Sequence, residues 1–192
     1  MQIIGITGSI GCGKTFLASQ IKKLGYCVYN PDEWTRDLYR KADFLQIIKE
    51  KFPQAFINGQ FNKRNLRNIV FNDSKKLKLL ESIIHPFLRR KLKDIIRKQA
   101  KKSEYLFLDV ALLYEMNWAD YCDYVIVVDV PYEVQKQRVM QRDNITEEDF
   151  IKIDKVQMPQ SEKKKKADIV FNTDISENIV RVNIIKLIEE LR

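Results

Sequence analysis

The residues Gly8-Ser9-Ile10-Gly11-Cys12-Gly13-Lys14-Thr15 constrain this chain more than any other stretch. They fit the spacing G-x-x-x-x-G-K-[ST], which marks a phosphate-binding loop when a strand leads in and a helix leads out. Both flanks are right. Gln2 to Thr7 is an apolar run of strand length, and Lys14 to Leu24 carries Phe16, Leu17, Ile21 and Leu24 at helical spacing. Glycine removes the Cβ that would keep a phosphate off the backbone, and it permits positive φ. Successive N–H groups and the positive end of the helix dipole then face the anion. In such a loop Lys14 reaches the β- and γ-phosphates of a nucleoside triphosphate, and the Thr15 hydroxyl ligates Mg²⁺.

The rest of the pattern alternates between strand and helix. Tyr26 to Tyr29 reads as a second strand, ending at Asn30-Pro31-Asp32, where Asp32 can cap a helix running through Trp34, Leu38, Phe44 and Ile48 to a stop at Pro53. Asn58-Gly59 marks a turn. From Asn62 to Lys102 the pattern is helical and basic, and Pro86 is expected to break it into two helices. Tyr105 to Val110 and Tyr124 to Asp129 are nearly all apolar, as strands covered on both faces are. Pro131 opens a helix through Arg142, and Thr146-Glu147-Glu148-Asp149 begins another with a capping-box-like start. Lys163 to Lys166 reads as a mobile, solvated run, although one of its lysines could meet a phosphate; a last strand, Ile169 to Phe171, and a closing amphipathic helix, Ser176 to Arg192, follow. This alternation predicts an α/β fold with a doubly wound parallel sheet.

Bulk properties narrow the function. The 192 residues suit one domain, or one with insertions, and the 45% apolar fraction is ordinary for a globular protein. No segment nears the roughly 18 consecutive apolar residues of a membrane span, and no basic and apolar leader opens the chain. Cys12, Cys27 and Cys122 are few and widely spaced, which argues against a disulfide framework or zinc site and for a reducing cytoplasm. The net charge of +8 favours polyanionic ligands. The basic helices lack the interleaved aromatics of a nucleic-acid platform, so no nucleic acid and no membrane partner is expected.

Three further groups carry chemistry. Asp32 follows the second strand, a good position for a base or a metal-linked carboxylate. Asp109 ends a Leu-Phe-Leu run, as a Walker B aspartate does. Arg138 and Arg142 are four residues apart, on one helical face, where two guanidinium groups can clamp phosphoryl oxygens. With these in hand the chain resembles the dephospho-coenzyme A kinase family. Gly5 to Thr15 is similar to that family's T-G-G-I-G-S-G-K-S loop, and Asn30-Pro31-Asp32 to its D-A-D segment. Ile84-His85-Pro86 with Arg89 matches H-P-x-[IV]-R. Leu108 to Glu115 resembles L-D-[VI]-P-L-L-[FY]-E, and Arg138 to Asp143 resembles R-x-x-x-R-D. Gln157-Met158-Pro159 and Ala167 to Asn172 match the family's closing motifs. Ser9, Asn30 and Ala111 depart from the pattern; only Asn30, which replaces a carboxylate, bears on chemistry.

The resemblance implies ATP-dependent phosphorylation of the ribose 3′-hydroxyl of dephospho-CoA. It implies a P-loop core (1–50, 103–137 and 167–192), a helical CoA-binding insertion (about 51–102) and a helical lid (about 138–166). Asp32, Lys14 and Arg138 would be catalytic. ATP would lie on Gly8, Ser9, Ile10, Gly11, Cys12, Gly13, Lys14, Thr15, Phe16 and Arg142. Dephospho-CoA would meet Thr7, Asp32, His85, Arg89, Leu112 and Arg138, and Mg²⁺ would sit on Thr15 with Asp109 behind a water. A cytoplasmic monomer or small homo-oligomer is expected. A nucleoside or nucleotide kinase shares the loop and arginines, and a basic P-loop switch associated with nucleic acid is the reading from another class.

Overall fold

Apolar runs of five or six residues are stable as strands where helices cover both faces, and the computed structural model of the chain has that form. It describes residues 1–71 and 73–191, Phe71 through its backbone alone. In chain order the elements begin with β1 (Gln2–Thr7), α1 (Lys14–Lys23), β2 (Cys27–Tyr29), α2 (Pro31–Leu38) and α3 (Ala42–Lys51). A short hairpin, β3 (Phe56–Ile57) and β4 (Gln60–Phe61), leads to α4 (Lys63–Phe71) and α5 (Ser74–Gln99). Then follow β5 (Tyr105–Asp109), β6 (Tyr124–Asp129), α6 (Tyr132–Asp143), α7 (Glu147–Asp154), α8 (Gln160–Lys166), β7 (Ile169–Asn172) and α9 (Glu177–Glu190). Arg192, expected to end the closing helix, lies outside the described residues. The chain divides into two compact units, one of Met1–Asn30 with Gln99–Arg192 and one of Pro31–Lys98.

The first unit holds a five-stranded sheet in the order β2-β5-β1-β6-β7, with every pair parallel. β1 is central, with Ile6 opposite Asp109 of β5 on one side and Ile126 of β6 on the other. Its carboxyl end is the point where the strand order changes direction, which is where open α/β sheets bind ligands. Leu17 and Ile21 of α1 join Val180, Ile184 and Ile188 of α9 over Ile4, Ile6, Phe107, Ile126 and Val128 in one buried cluster. Truncating any of these large side chains to alanine costs about 2–5 kcal/mol. That is a sizeable part of the roughly 5–15 kcal/mol that holds a domain folded.

The second unit is helical and packs on aromatic rings. Phe44, Ile48, Phe52, Leu66, Leu80, Ile84, Leu88 and Leu92 are buried, and Tyr39 stacks on Phe61 at 5.1 Å while Phe87 meets the Phe44 ring edge-on at 5.3 Å. Two expectations are corrected here. The helix expected to run from Asp32 to Pro53 is two helices, parted after Leu38. Pro86 breaks nothing: it lies inside the 26-residue α5, and the break falls before Ser74. Both Pro86 and Ser82, whose carbonyl loses its i+4 partner, are exposed, so the missing bond leaves no buried polar group unpaired. At the true break Asp73 Oδ1 accepts the Lys75 and Lys76 amides and starts α5.

Candidate active site

The phosphate loop folds as its residues dictate. Gly8, Gly11 and Gly13 have φ of 146°, 81° and 93°, whereas Ser9 is not among the residues at positive φ, which answers how a side chain is accommodated there. Gly13 is fixed by packing as well: a Cβ on it would lie 2.6 Å from Thr173 Oγ1, which donates to Cys12 O at 2.6 Å. The turn after β7 therefore buttresses the loop. Gly13 has no side chain to cap α1, and the first turn has no acidic residue. The first N–H groups of α1, which have no intrahelical acceptor, are thus uncapped at the positive helix end, where an anion is favoured.

Lys14 Nζ donates to Gly8 O at 2.7 Å and Ser9 O at 3.3 Å, so the side chain arches over its own loop. An ammonium has three hydrogens, and the third remains for a ligand. Thr15 is exposed in the first turn of α1, with Phe16 half-buried beside it. Cys12 is buried; burial pushes its thiol pKa up against the pull of Lys14, so it serves the loop through its backbone. Thr7, expected to touch substrate, is fully buried beneath the loop and donates to Ala111 O at 3.2 Å. Asp109 ends β5 at 7% exposure, and Leu112 follows it on the surface.

Residues 163–166, read from sequence as a mobile solvated run, instead form the end of α8. A run of four lysines looks solvated because any single face of it is charged, but α8 turns Lys163 inward. Lys163 is 0% exposed; its Nζ pairs with Glu115 at 3.1 Å and donates to Ala111 O at 3.2 Å. Burial holds the Lys163 pKa below the usual lysine range, while Glu115 opposes that shift. Glu115 also accepts the Met158 amide at 2.7 Å. Lys164 pairs with Asp129 at 2.5 Å and Lys165 with Glu162 at 2.7 Å. The turn between α7 and α8 and the first residue of α8 complete the contact: Gln157 Oε1 accepts the Ile10 amide at 3.0 Å, and Gln160 Oε1 the Ser9 amide at 2.9 Å. Gln160 Nε2 donates to Val128 O at 2.8 Å and Asp129 Oδ1 at 3.0 Å. The sequence pattern gives Gln157 and Glu115 no role of their own, says nothing of Gln160 and Thr173, and puts Lys163 in solvent. Only the motif matches around Gln157 and Glu115 signalled them.

The two arginines of α6 part company. Arg138 pairs with Asp174 at 3.0 Å, next to the Thr173 that supports the loop. Arg142 pairs with its neighbour Asp143 at 2.7 Å and is more exposed. In the helical unit, Asp32 lies within the first turn of α2, where Pro31 is the first helical residue; the cap position falls on Asn30. Asp32, which the sequence allows as a cap, thus stands inside the helix, where its carboxylate benefits from the dipole. His85 sits on α5 with its Nε2 buried and without a hydrogen-bond partner among the described residues. Burial lowers its pKa below 6.5, against the pull of Glu81. Arg89 is exposed one turn further on.

A parallel sheet with a lysine-bearing glycine loop at its switch point, running into an uncapped helix, defines a P-loop kinase fold. The family model for dephospho-CoA kinase matches residues 2–178, and the chain belongs to the dephospho-CoA kinase family. Its sequence is 38% identical over 194 residues to the dephospho-CoA kinase of Bartonella quintana (strain Toulouse), covering 100% of this chain and 98% of that one. The crystal structure of TT1252 from Thermus thermophilus superposes with a TM-score of 0.88 at 32% identity, over 100% of this chain and 98% of that chain. Dephospho-CoA kinase from Campylobacter jejuni does so at 0.70 and 27% identity, over 98% and 96%.

Proposed function

We propose that this enzyme transfers the γ-phosphoryl group of ATP to the ribose 3′-hydroxyl of dephospho-CoA, yielding coenzyme A and ADP. The observation that carries the proposal is the phosphate loop, with its uncapped helix start and arched Lys14, in a chain that the family model matches over residues 2–178. Asp32 takes the hydroxyl proton as the 3′-oxygen attacks the γ-phosphorus, and the bond to ADP breaks in line. Lys14 and Arg138 bind the oxygens over which charge spreads, and the amides at the start of α1 hold the β-phosphate. Arg142 and Phe16 belong with ATP. His85, Arg89, Leu112 and Thr7 belong with dephospho-CoA, Thr7 acting through the Ala111 carbonyl it supports.

Among the described residues no cluster of three or more His, Cys, Asp or Glu side chains forms a metal cage. A Mg²⁺ carried in by nucleotide phosphates would be met by one or two protein oxygens, here Thr15 and, through water, Asp109. When bound it would neutralise charge on the β- and γ-oxygens. The segment 138–166 acts as a lid that excludes water, the competing acceptor. A cytoplasmic setting, free of nucleic acid, suits a small-molecule kinase, and among the described residues no helix is long and apolar enough to cross a membrane. The test is ATP consumption with dephospho-CoA, adenosine, AMP and DNA in parallel, with and without EDTA. Turnover should require dephospho-CoA and metal; efficient use of adenosine or AMP instead would refute the assignment.

A further inference from the structure

Ser9 and Ile10 present two amides on the rising limb of the phosphate loop, and neither is left for the nucleotide. Each is taken by a side-chain carbonyl, that of Gln160 at the start of α8 for Ser9 and that of Gln157 in the turn before it for Ile10. The turn itself is pinned. Lys163 and the Met158 amide both bind Glu115, and Gln160 Nε2 binds Val128 O and Asp129 Oδ1 on the strand beside β1. Those donors fix which way the Gln160 amide faces, because only its oxygen is then free for Ser9.

We propose that Gln157 and Gln160 are positioning residues for the phosphate loop. They occupy its rising-limb amides so that the amides at the start of α1, together with Lys14, are held open toward the triphosphate. The choice of glutamine has a chemical reason. A loop amide left unpaired would bend toward the bound anion and distort the cradle. A carboxylate would pair with the amide equally well but would set a negative charge beside the phosphates. A neutral carbonyl does the first without the second. The inference rests on the loop being an ATP site, as proposed above, and it adds two residues that touch the loop rather than the nucleotide.

Gln157 is the cleaner probe, since among the described residues its side chain accepts a hydrogen bond and donates none. Calorimetric titration of the full chain with ATP and Mg²⁺, without dephospho-CoA, would compare wild type, Gln157→Leu and Gln157→Glu, alongside melting temperatures without nucleotide. Gln157→Leu should bind ATP about tenfold more weakly, the effect of one unpaired amide, with little change in melting temperature. Gln157→Glu should also bind weakly at low salt but approach wild type as ionic strength rises, because its acceptor remains while its charge is screened. The leucine variant should not recover. Wild-type affinity in Gln157→Leu overturns the proposal, and so does a loss no larger than its fall in melting temperature explains. Tighter binding overturns it too, by showing that the glutamine competes with phosphate. A wild-type chain that binds no ATP overturns the site reading itself, a result distinct from all of these.

Discussion

At the residue scale, the question with the largest consequence is what Asp32 does. Its place in the first turn of α2 is favourable for any carboxylate, by about 0.3–1 kcal/mol, so position alone does not make it a base. Asp32→Asn keeps the shape and removes the proton acceptor. We expect kcat to fall by roughly 10²–10⁴-fold, with ATP affinity and melting temperature nearly unchanged; wild-type turnover at saturating substrates would end the general-base role. Arg138 poses a different question, because it already has a partner. Its pair with Asp174 is about 40% exposed on each side, a class of ion pair that contributes little and is readily given up. The guanidinium is therefore available for phosphoryl oxygens at small cost. Arg138→Ala should lower kcat by on the order of 10³-fold and disturb ATP affinity far less. A raised KM with kcat intact would show that Arg138 only binds ground-state phosphate.

At the scale of elements, His85 gives α5 a measurable acid sensitivity. The chain has one histidine, and burial holds its pKa below 6.5 with Nε2 unpaired among the described residues. Because the folded pKa lies below the unfolded one, the unfolded chain takes the proton first. Stability is then complete above about pH 6.5 and declines as pH falls from there toward the folded pKa. The melting temperature of wild type should drop more than that of His85→Gln between pH 7.5 and 5.5, and parallel drops would clear His85 of the effect. Elements also show what the sequence could and could not reveal. The buried strands and the glycine loop were legible, since runs such as Leu106-Phe107-Leu108 and the spacing of Gly8, Gly13 and Lys14 are local signals. So was the Thr146 cap, whose hydroxyl does accept the Asp149 amide. Pro86 misled because its cost depends on which face of the helix it occupies, and that is set by packing. The lysine run misled for the same reason: nothing local says that Lys163 meets Glu115, 48 residues away, and goes underground. Gln157 and Gln160 were opaque because their partners lie about 150 positions earlier in the chain.

Taken whole, the molecule is a cation of net charge +8 proposed to act on two polyanions. Screening should therefore weaken capture more than chemistry: the KM for dephospho-CoA should rise several-fold as ionic strength goes from about 0.05 to 0.5 M, with kcat little changed. A KM indifferent to salt would mean that contacts at short range, not the field of the molecule, draw the substrate in. The placement of β1 has another consequence, for synthesis. Its two neighbours, β5 and β6, lie about a hundred or more residues downstream. While the ribosome is still making the helical unit, which is contiguous from Pro31 to Lys98, the first strand has no bonding edge to join. Long-range parallel pairing of this kind forms late. Chains arrested before Tyr105 should leave Lys14 open to trypsin, and chains released past Asn172 should protect it. The nucleotide loop thus leaves the ribosome well before the strands that give it a shape, so a partly made chain has no means of sequestering ATP.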